Sequence, residues 1–307
     1  MNKTEQKQKK QEIKVIKGLP REMWQHSLQL MEVPANVIEV VLRNGRMTAA
    51  EEWLDAAVIS RPRCAARART KAAITLPRLF GVEIECYNAT RANIIEKCTA
   101  ENLEMRDSPY THSDQGFAKI VSDSSLRGEN TQEVVMPPLN SFTDLKKVCT
   151  ALKNAGCKVN KSCGLHVHID AREMTPQHAL NIGRNYYFLR RIISRSLPLS
   201  RRNNAYCLVR QAVRCNDAEH DISWDELTTA NSNRYVAVNY TAYQRHKTIE
   251  FRQHQGSINF TKISNWVLFL ESLVSWSETH QLDTNVISKD DHRLAGLRVD
   301  LLRTLDY

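Results

Sequence analysis

The chain has 307 residues, 42% of them apolar and 25% charged, the proportions of an ordinary folded protein, which excludes a fibrous or largely disordered polymer. No apolar run approaches the ~18 residues of a membrane span and residues 1–20 hold no stretch of signal-peptide length, so a cytoplasmic location without membrane contact is expected. The net charge of +9 calls for an anionic partner: nucleic acid, nucleotide phosphates or an acidic substrate.

Residues 1–17 are mostly Lys, Gln and Glu and read as a frayed tail. From Pro20 to about Ser60, apolar residues return at helical spacing (Trp24, Leu28, Met31, Val37, Val40, Val41), broken at Pro34 and at Asn44-Gly45. Two or three short helices are expected there. The segment Arg61 to Lys71 carries five basic residues in eleven, the pattern of a solvated helix face or of a nucleic-acid contact, the former being the simpler reading. Residues 1–75 hold fourteen Lys or Arg against eight Asp or Glu, so most of the positive excess lies in this quarter. Residues 1–76 therefore read as a basic, helical extension, and residues 77–307 as a catalytic domain.

After Pro77 the pattern changes to short β-branched segments alternating with capped helices. Strands are expected at 79–86, 118–122, 132–136, 164–170, 235–240 and 248–254. Ser141 with Asp144 marks a helix start, and Asn154-Ala155-Gly156 its end. Thr175-Pro176 opens a longer helix that stops at Leu197-Pro198. Asn259 or Thr261 opens a third, whose apolar stripe includes Trp266 as a core residue. The eight cysteines form no CxxC pair and are expected to be reduced, mostly buried thiols.

Side chains alternate across a strand. In Val82-Glu83-Ile84-Glu85-Cys86 both carboxylates therefore share one face, and in Leu165-His166-Val167-His168-Ile169 both imidazoles do. In Ile249-Glu250-Phe251-Arg252-Gln253-His254 the residues 250, 252 and 254 line up in the same way, and Glu133 adds a further acid. Solvated strands usually mix Thr, Lys, Ser and Gln on the wet face, whereas these read as a ligand set. Converging carboxylates repel unless cations neutralise them, and Mg²⁺ or Mn²⁺ accepts carboxylate oxygens with an occasional imidazole. An arginine two residues from a ligand glutamate offers a planar fork for a metal-held phosphate.

These residues resemble the glutamine synthetase and gamma-glutamylcysteine ligase superfamily of carboxylate-amine ligases, and most closely its amidoligase branch. The resemblance rests on Gly81 to Glu85, Asp123-Ser124-Ser125-Leu126, Glu133 to Leu139, Cys163 to His168, and Glu250 to Gly256 followed by Trp266. It covers roughly residues 78–276. It departs at Val135-Met136-Pro137, where many members have Ser-Pro. What it implies is an α+β fold, a curved and mostly antiparallel sheet whose concave polar face holds ATP and Mg²⁺, with Mn²⁺ as a substitute and helices on the outer side. Glu83, Glu85, Glu133, His166 and Glu250 are then metal ligands, and His168 and Arg252 contact nucleotide phosphates. Glu250 and Arg252 take part in catalysis, Asp123 serves as a general base, and Arg201 and Asn239 are weaker candidates for nucleotide or substrate contact. The implied reaction joins a carboxylate-bearing to an amine-bearing substrate (an amino acid, peptide or protein) through an acyl phosphate.

Two other readings stand beside it. Cys163, His166 and His168 have the spacing of soft zinc ligands, as in a zinc-dependent amide hydrolase. The basic N-terminal region could instead make the chain a nucleic-acid-binding adaptor, a partner class less favoured than small carboxylates and amines. His26, His112, His178, His220, His246, His280 and His292 read as ordinary surface or core residues.

Overall fold

The computed structural model describes residues 72–109, 116–212 and 222–281, with residues 9, 11–13, 16–17, 21, 24–30, 33 and 35–51 of the N-terminal region. The expected basic segment at 61–71 and the assignment of residues 282–307 to the catalytic domain lie outside them. The chain forms two compact units, one of which comprises residues 69–282. In the other, α1 (Trp24–Leu30) and α2 (Ala35–Asn44) are the short helices expected from the apolar spacing. Ile13, Ile16, Leu28, Val41 and Met47 form its small core. Asn44-Gly45 ends α2 as its chemistry demands: Gly45 takes φ 63°, the left-handed conformation that closes helices at low steric cost.

The larger unit is α+β. Its strands are β1 (Thr75–Cys86), β2 (Met105–Asp107), β3 (Ala118–Val121), β4 (Gln132–Val135), β5 (Leu139–Ser141), β6 (Gly164–Asp170), β7 (Val238–Asn239) and β8 (Thr248–Gln255). They form one open sheet in the order β2-β3-β4-β1-β6-β8-β7, with β5 also pairing with β1. All neighbours run antiparallel except β2 and β3. The helices are α3 (Arg91–Ala100), α4 (Thr143–Asn154), α5 (Pro176–Ser196), α6 (Leu199–Arg202), α7 (Trp224–Ala230), α8 (Ala242–His246) and α9 (Phe260–Ser277).

Several expected boundaries recur in the structure. Thr175 caps α5, whose first residue is Pro176, and Asn259 caps α9. Two differ. Ser141 ends β5 rather than capping a helix, so α4 begins at Thr143 with Phe142 at its cap and no side-chain cap bond. The strand expected at 235–240 shrinks to Val238–Asn239.

The alternating residues settle which face is dry. Val82, Ile84, Leu165, Val167, Ile169, Ile249 and Phe251 are fully buried, each burial contributing roughly 1.5–3 kcal/mol. Helices cover that face. The Tyr186 ring of α5 lies 5.9 Å from Phe251, and Phe142 lies 5.3 Å from Phe80. Trp266 of α9 is buried in this layer, as its position in an apolar stripe requires. The helices are tied to each other by a polar ladder: His178 Nε2 lies 2.8 Å from the Val274 carbonyl, and Asn185 donates to Ser277 Oγ at 2.8 Å and to the His280 carbonyl at 2.9 Å. One face of α5 thus satisfies carbonyls at the C-terminal end of α9 that its own helix leaves open. Of the described cysteines, Cys86, Cys98, Cys149, Cys157, Cys163 and Cys207 are free and buried, as expected; Cys64 and Cys215 lie outside the described residues.

Candidate active site

The register brings the chemistry of five strands into one row. Glu85 on β1 opposes Glu133 on β4, Glu83 opposes His166 on β6, and His168 opposes Glu250 on β8, which in turn opposes Asn239 on β7. A three-residue row on a regular sheet would already put these side chains within reach of each other. Here they touch. His166 Nδ1 lies 2.9 Å from Glu83 Oε2, 3.7 Å from Glu250 Oε1 and 3.8 Å from Glu133 Oε1, while its Nε2 lies 3.4 Å from Glu85 Oε1. His168 Nε2 lies 3.3 Å from Glu83 Oε1 and 4.0 Å from Glu250 Oε1. Glu85, Glu133, His166 and Glu250 are buried.

Each group is held by a neighbour. Glu85 accepts a hydrogen bond from the Gly164 backbone N–H. Thr248 Oγ1 sits 2.8 Å from His168 Nδ1 and aims the ring, leaving Nε2 toward the acids. Asn239 donates to Glu250 Oε2 at 2.6 Å, and Arg252 donates to Glu250 Oε1. Asp123, in the loop after β3, accepts from the Ser125 N–H at 2.7 Å and lines the same cavity.

Burial opposes ionisation of Glu83, but the two imidazoles outweigh it and hold that carboxyl well below its ordinary value. Burial also works against charge on Glu250, and Arg252, His168 and His166 overcome it, again downward. Glu133 goes the other way: burial first, then the charges of Glu83 and Glu85, push it well above the ordinary range. For His168 burial favours the neutral ring, yet the nearby carboxylates of Glu83 and then Glu250 raise its basicity.

One expected site residue turns away from the cavity. Between the Leu165–His254 and Val167–Phe251 pairs, β8 holds one residue more than β6. Such a bulge puts two consecutive side chains on the same side. Arg252 stays on the wet face, but Gln253 and His254 both turn to the helices. Gln253 Oε1 accepts from Tyr186 Oη at 2.8 Å, and the His254 ring lies 5.1 Å from Trp266. The even spacing of 250, 252 and 254 therefore places only the first two in the site. Arg201 spans the bulge: Nε donates to the Gln253 carbonyl at 3.2 Å and NH2 to the Arg252 carbonyl at 2.6 Å. It is buried and still contributes to the cavity wall.

Over this face opens a cavity of about 2150 Å³. Its floor is acidic and its walls are basic, with Lys119, Arg127, Lys161, Arg201, Arg234, Arg245, Lys247 and Arg252 among the lining residues. Two groups of donors lie within 4.8 Å of one another, Glu83 with Glu133 and His166, and Glu83 with His168 and Glu250. Both share Glu83. Hard oxygen donors with one imidazole each suit Mg²⁺ or Mn²⁺ better than a soft-ligand metal. The fit is supported by one observation, that His168 Nε2 is buried with no hydrogen-bond partner; the neighbouring charges of Glu83 and Glu85, which with burial push the Glu133 carboxyl upward, are a repulsion that a cation there would relieve. Glu85 stands in neither group. Nor, among the described residues, does Cys163, whose sulfur lies 3.8 Å from Asn160 Oδ1, so the arrangement with His166 and His168 that a zinc hydrolase would need is not formed.

Sequence reasoning missed Gly164, Thr248 and His246. A Cβ on Gly164 would come within 3.1 Å of Arg201 NH2, 3.2 Å of His166 Nε2 and 3.3 Å of Glu85 Oε2, so only hydrogen fits this wall comfortably. The glycine before Leu165-His166 was the visible signal. His246 stands edge-on to His168, ring centres 5.9 Å apart, a contact no spacing rule reveals.

A family model described as "Putative amidoligase enzyme" matches residues 76–274, more than half of the chain. The chain belongs to this amidoligase family, and membership makes it an enzyme of the ligase class that forms amide bonds. No curated protein matches the chain. Among the described residues no helix is long and apolar enough to cross a membrane.

Proposed function

We propose that the chain is an ATP- and Mg²⁺-dependent carboxylate-amine ligase acting through an acyl phosphate, on a glutamine-synthetase-like catalytic fold. The observation that carries this reading is the pair of acid-imidazole groups sharing Glu83, with the Arg252 guanidinium bound to one of their members. Divalent cations held by Glu83, Glu133 and His166, and by Glu83, His168 and Glu250, would supply charge neutralisation for phosphate oxygens. The remaining work falls to the protein's own groups. Arg252, fixed by Glu250, faces the cavity where negative charge grows on the transferred phosphoryl. Asn239 and Thr248 keep Glu250 and His168 from rotating away. The substrate carboxylate attacks the γ-phosphoryl and ADP departs. Asp123, on the cavity wall, then takes a proton from the incoming ammonium, and the amine displaces phosphate.

The test is to incubate the protein with Mg²⁺-ATP and a pool of amino acids or cell extract, following ADP, phosphate and product mass together. ADP and phosphate should appear in equal amounts with a product lighter by one water than its two parents. Glu250→Gln and Arg252→Ala should each lower turnover at least ~100-fold, with circular dichroism unchanged. Full activity in either variant would remove β8 from the mechanism. Turnover that needs zinc and ignores ATP would overturn the reading.

A further inference from the structure

The cavity wall beside Arg252 carries a feature that the ligase chemistry leaves unexplained. Tyr206 and Tyr235 are 54% and 37% exposed, and both line the cavity. Among the described residues, the other large exposed apolar ones, Ile74, Val159 and Leu199, do not. Their rings meet edge to face, with centroids 5.6 Å apart and planes at 82°. Solvent-exposed aromatic surface on an otherwise charged wall costs hydration free energy and points to a ligand with an apolar face.

The presentation is built rather than accidental. Asn204 Oδ1 accepts the Tyr206 N–H and Asn233 Oδ1 accepts the Tyr235 N–H, each at 2.8 Å, so two Asx turns hold the tyrosines. The turns are stitched together: Leu208 N–H donates to the Tyr235 carbonyl and Ala237 N–H to the Leu208 carbonyl. Arg234 lies 5.0 Å over the Tyr235 ring and donates to its hydroxyl at 3.1 Å. That leaves Tyr206 as the more open ring. Its carbonyl accepts from Arg252 Nε at 3.5 Å, which places the aromatic pair one residue from the guanidinium assigned to phosphate.

We propose that Tyr206, buttressed by Tyr235, is the platform on which the nucleotide base stacks. This rests on the nucleotide reading above. A flat π-surface with no side-chain amide or carboxylate on the two rings themselves reads shape rather than hydrogen-bond pattern, so purines should be accepted over pyrimidines without strong choice between adenine and guanine. Stacking of a base on one aromatic side chain typically changes affinity by roughly tenfold or more.

The experiment is isothermal titration of the full chain, in excess Mg²⁺, with ATP, GTP, CTP and inorganic tripolyphosphate. For Tyr206→Ala the expected result is binding of ATP weakened about tenfold or more, with tripolyphosphate affinity unchanged; Tyr206→Phe should bind ATP like the wild type, and CTP should bind the wild type more weakly than ATP. If Tyr206→Ala holds ATP as tightly as the wild type, the platform is wrong and the nucleotide site survives. Equal loss of ATP and tripolyphosphate would show that the turn merely positions Arg252, and would also overturn the platform. Failure of the wild type to bind either ligand would defeat the nucleotide reading itself.

Discussion

His168 and His254 stand on adjacent strands, and their surroundings drive them in opposite directions. The first is made more basic by Glu83 and Glu250 despite its burial; burial pushes the second down to about 3, the backbone bond at Gln255 offsetting only part of that. His254 is therefore buried neutral in the folded protein, while in the unfolded chain it titrates near ~6.5. Between those values the unfolded state binds the extra proton, so stability falls as pH drops through the window, by up to ~1.4 kcal/mol per unit. Chemical denaturation at pH 7 and pH 5 should show the wild type losing about 2 kcal/mol more than His254→Gln; identical slopes would mean that His254 is charged in the folded state. The acids and imidazoles of the site were legible because a strand has only two faces. Gly164, Thr248 and Tyr206 were not, because their roles depend on what another strand or turn brings near them.

At the level of elements, the bulge in β8 decides which side chains the site receives. Nothing in Thr248-Ile249-Glu250-Phe251-Arg252-Gln253-His254 marks it, since the segment fits an unbroken alternation equally well. Strands β1 and β6, by contrast, appear in the structure with the faces that their spacing predicted. Helix α3 was unforeseen for a related reason: it buries only Ile94 and Cys98, too narrow a stripe to read as periodic. Arg201 satisfies both carbonyls that the bulge leaves open, and removing it strands buried acceptors at roughly 1–3 kcal/mol each. Arg201→Met should thus lower the unfolding free energy by roughly 2–4 kcal/mol in urea titrations. A fully stable Arg201→Met protein would indicate that the guanidinium acts on ligand alone.

For the molecule as a whole, an acidic floor under basic walls accounts for a charge distribution that composition reported only as a sum. The surplus in residues 1–75 drew attention to the N-terminal region, yet the cationic residues nearest the chemistry are scattered from Lys119 to Arg252, and only folding gathers them. If divalent cations fill the floor, they bind the folded form alone, and millimolar Mn²⁺ or Mg²⁺ should raise the thermal midpoint by about 5 °C. Glu83→Gln, which touches both donor groups, should abolish that shift; a shift of the same size in the variant would place the ions elsewhere. The row that runs from β4 through β1 and β6 to β8 also has a temporal meaning. A ribosome delivers the acids of β1 and β4 and the imidazoles of β6 long before Glu250 and Arg252 of β8, so any product that ends before β8 carries only the first of the two donor groups.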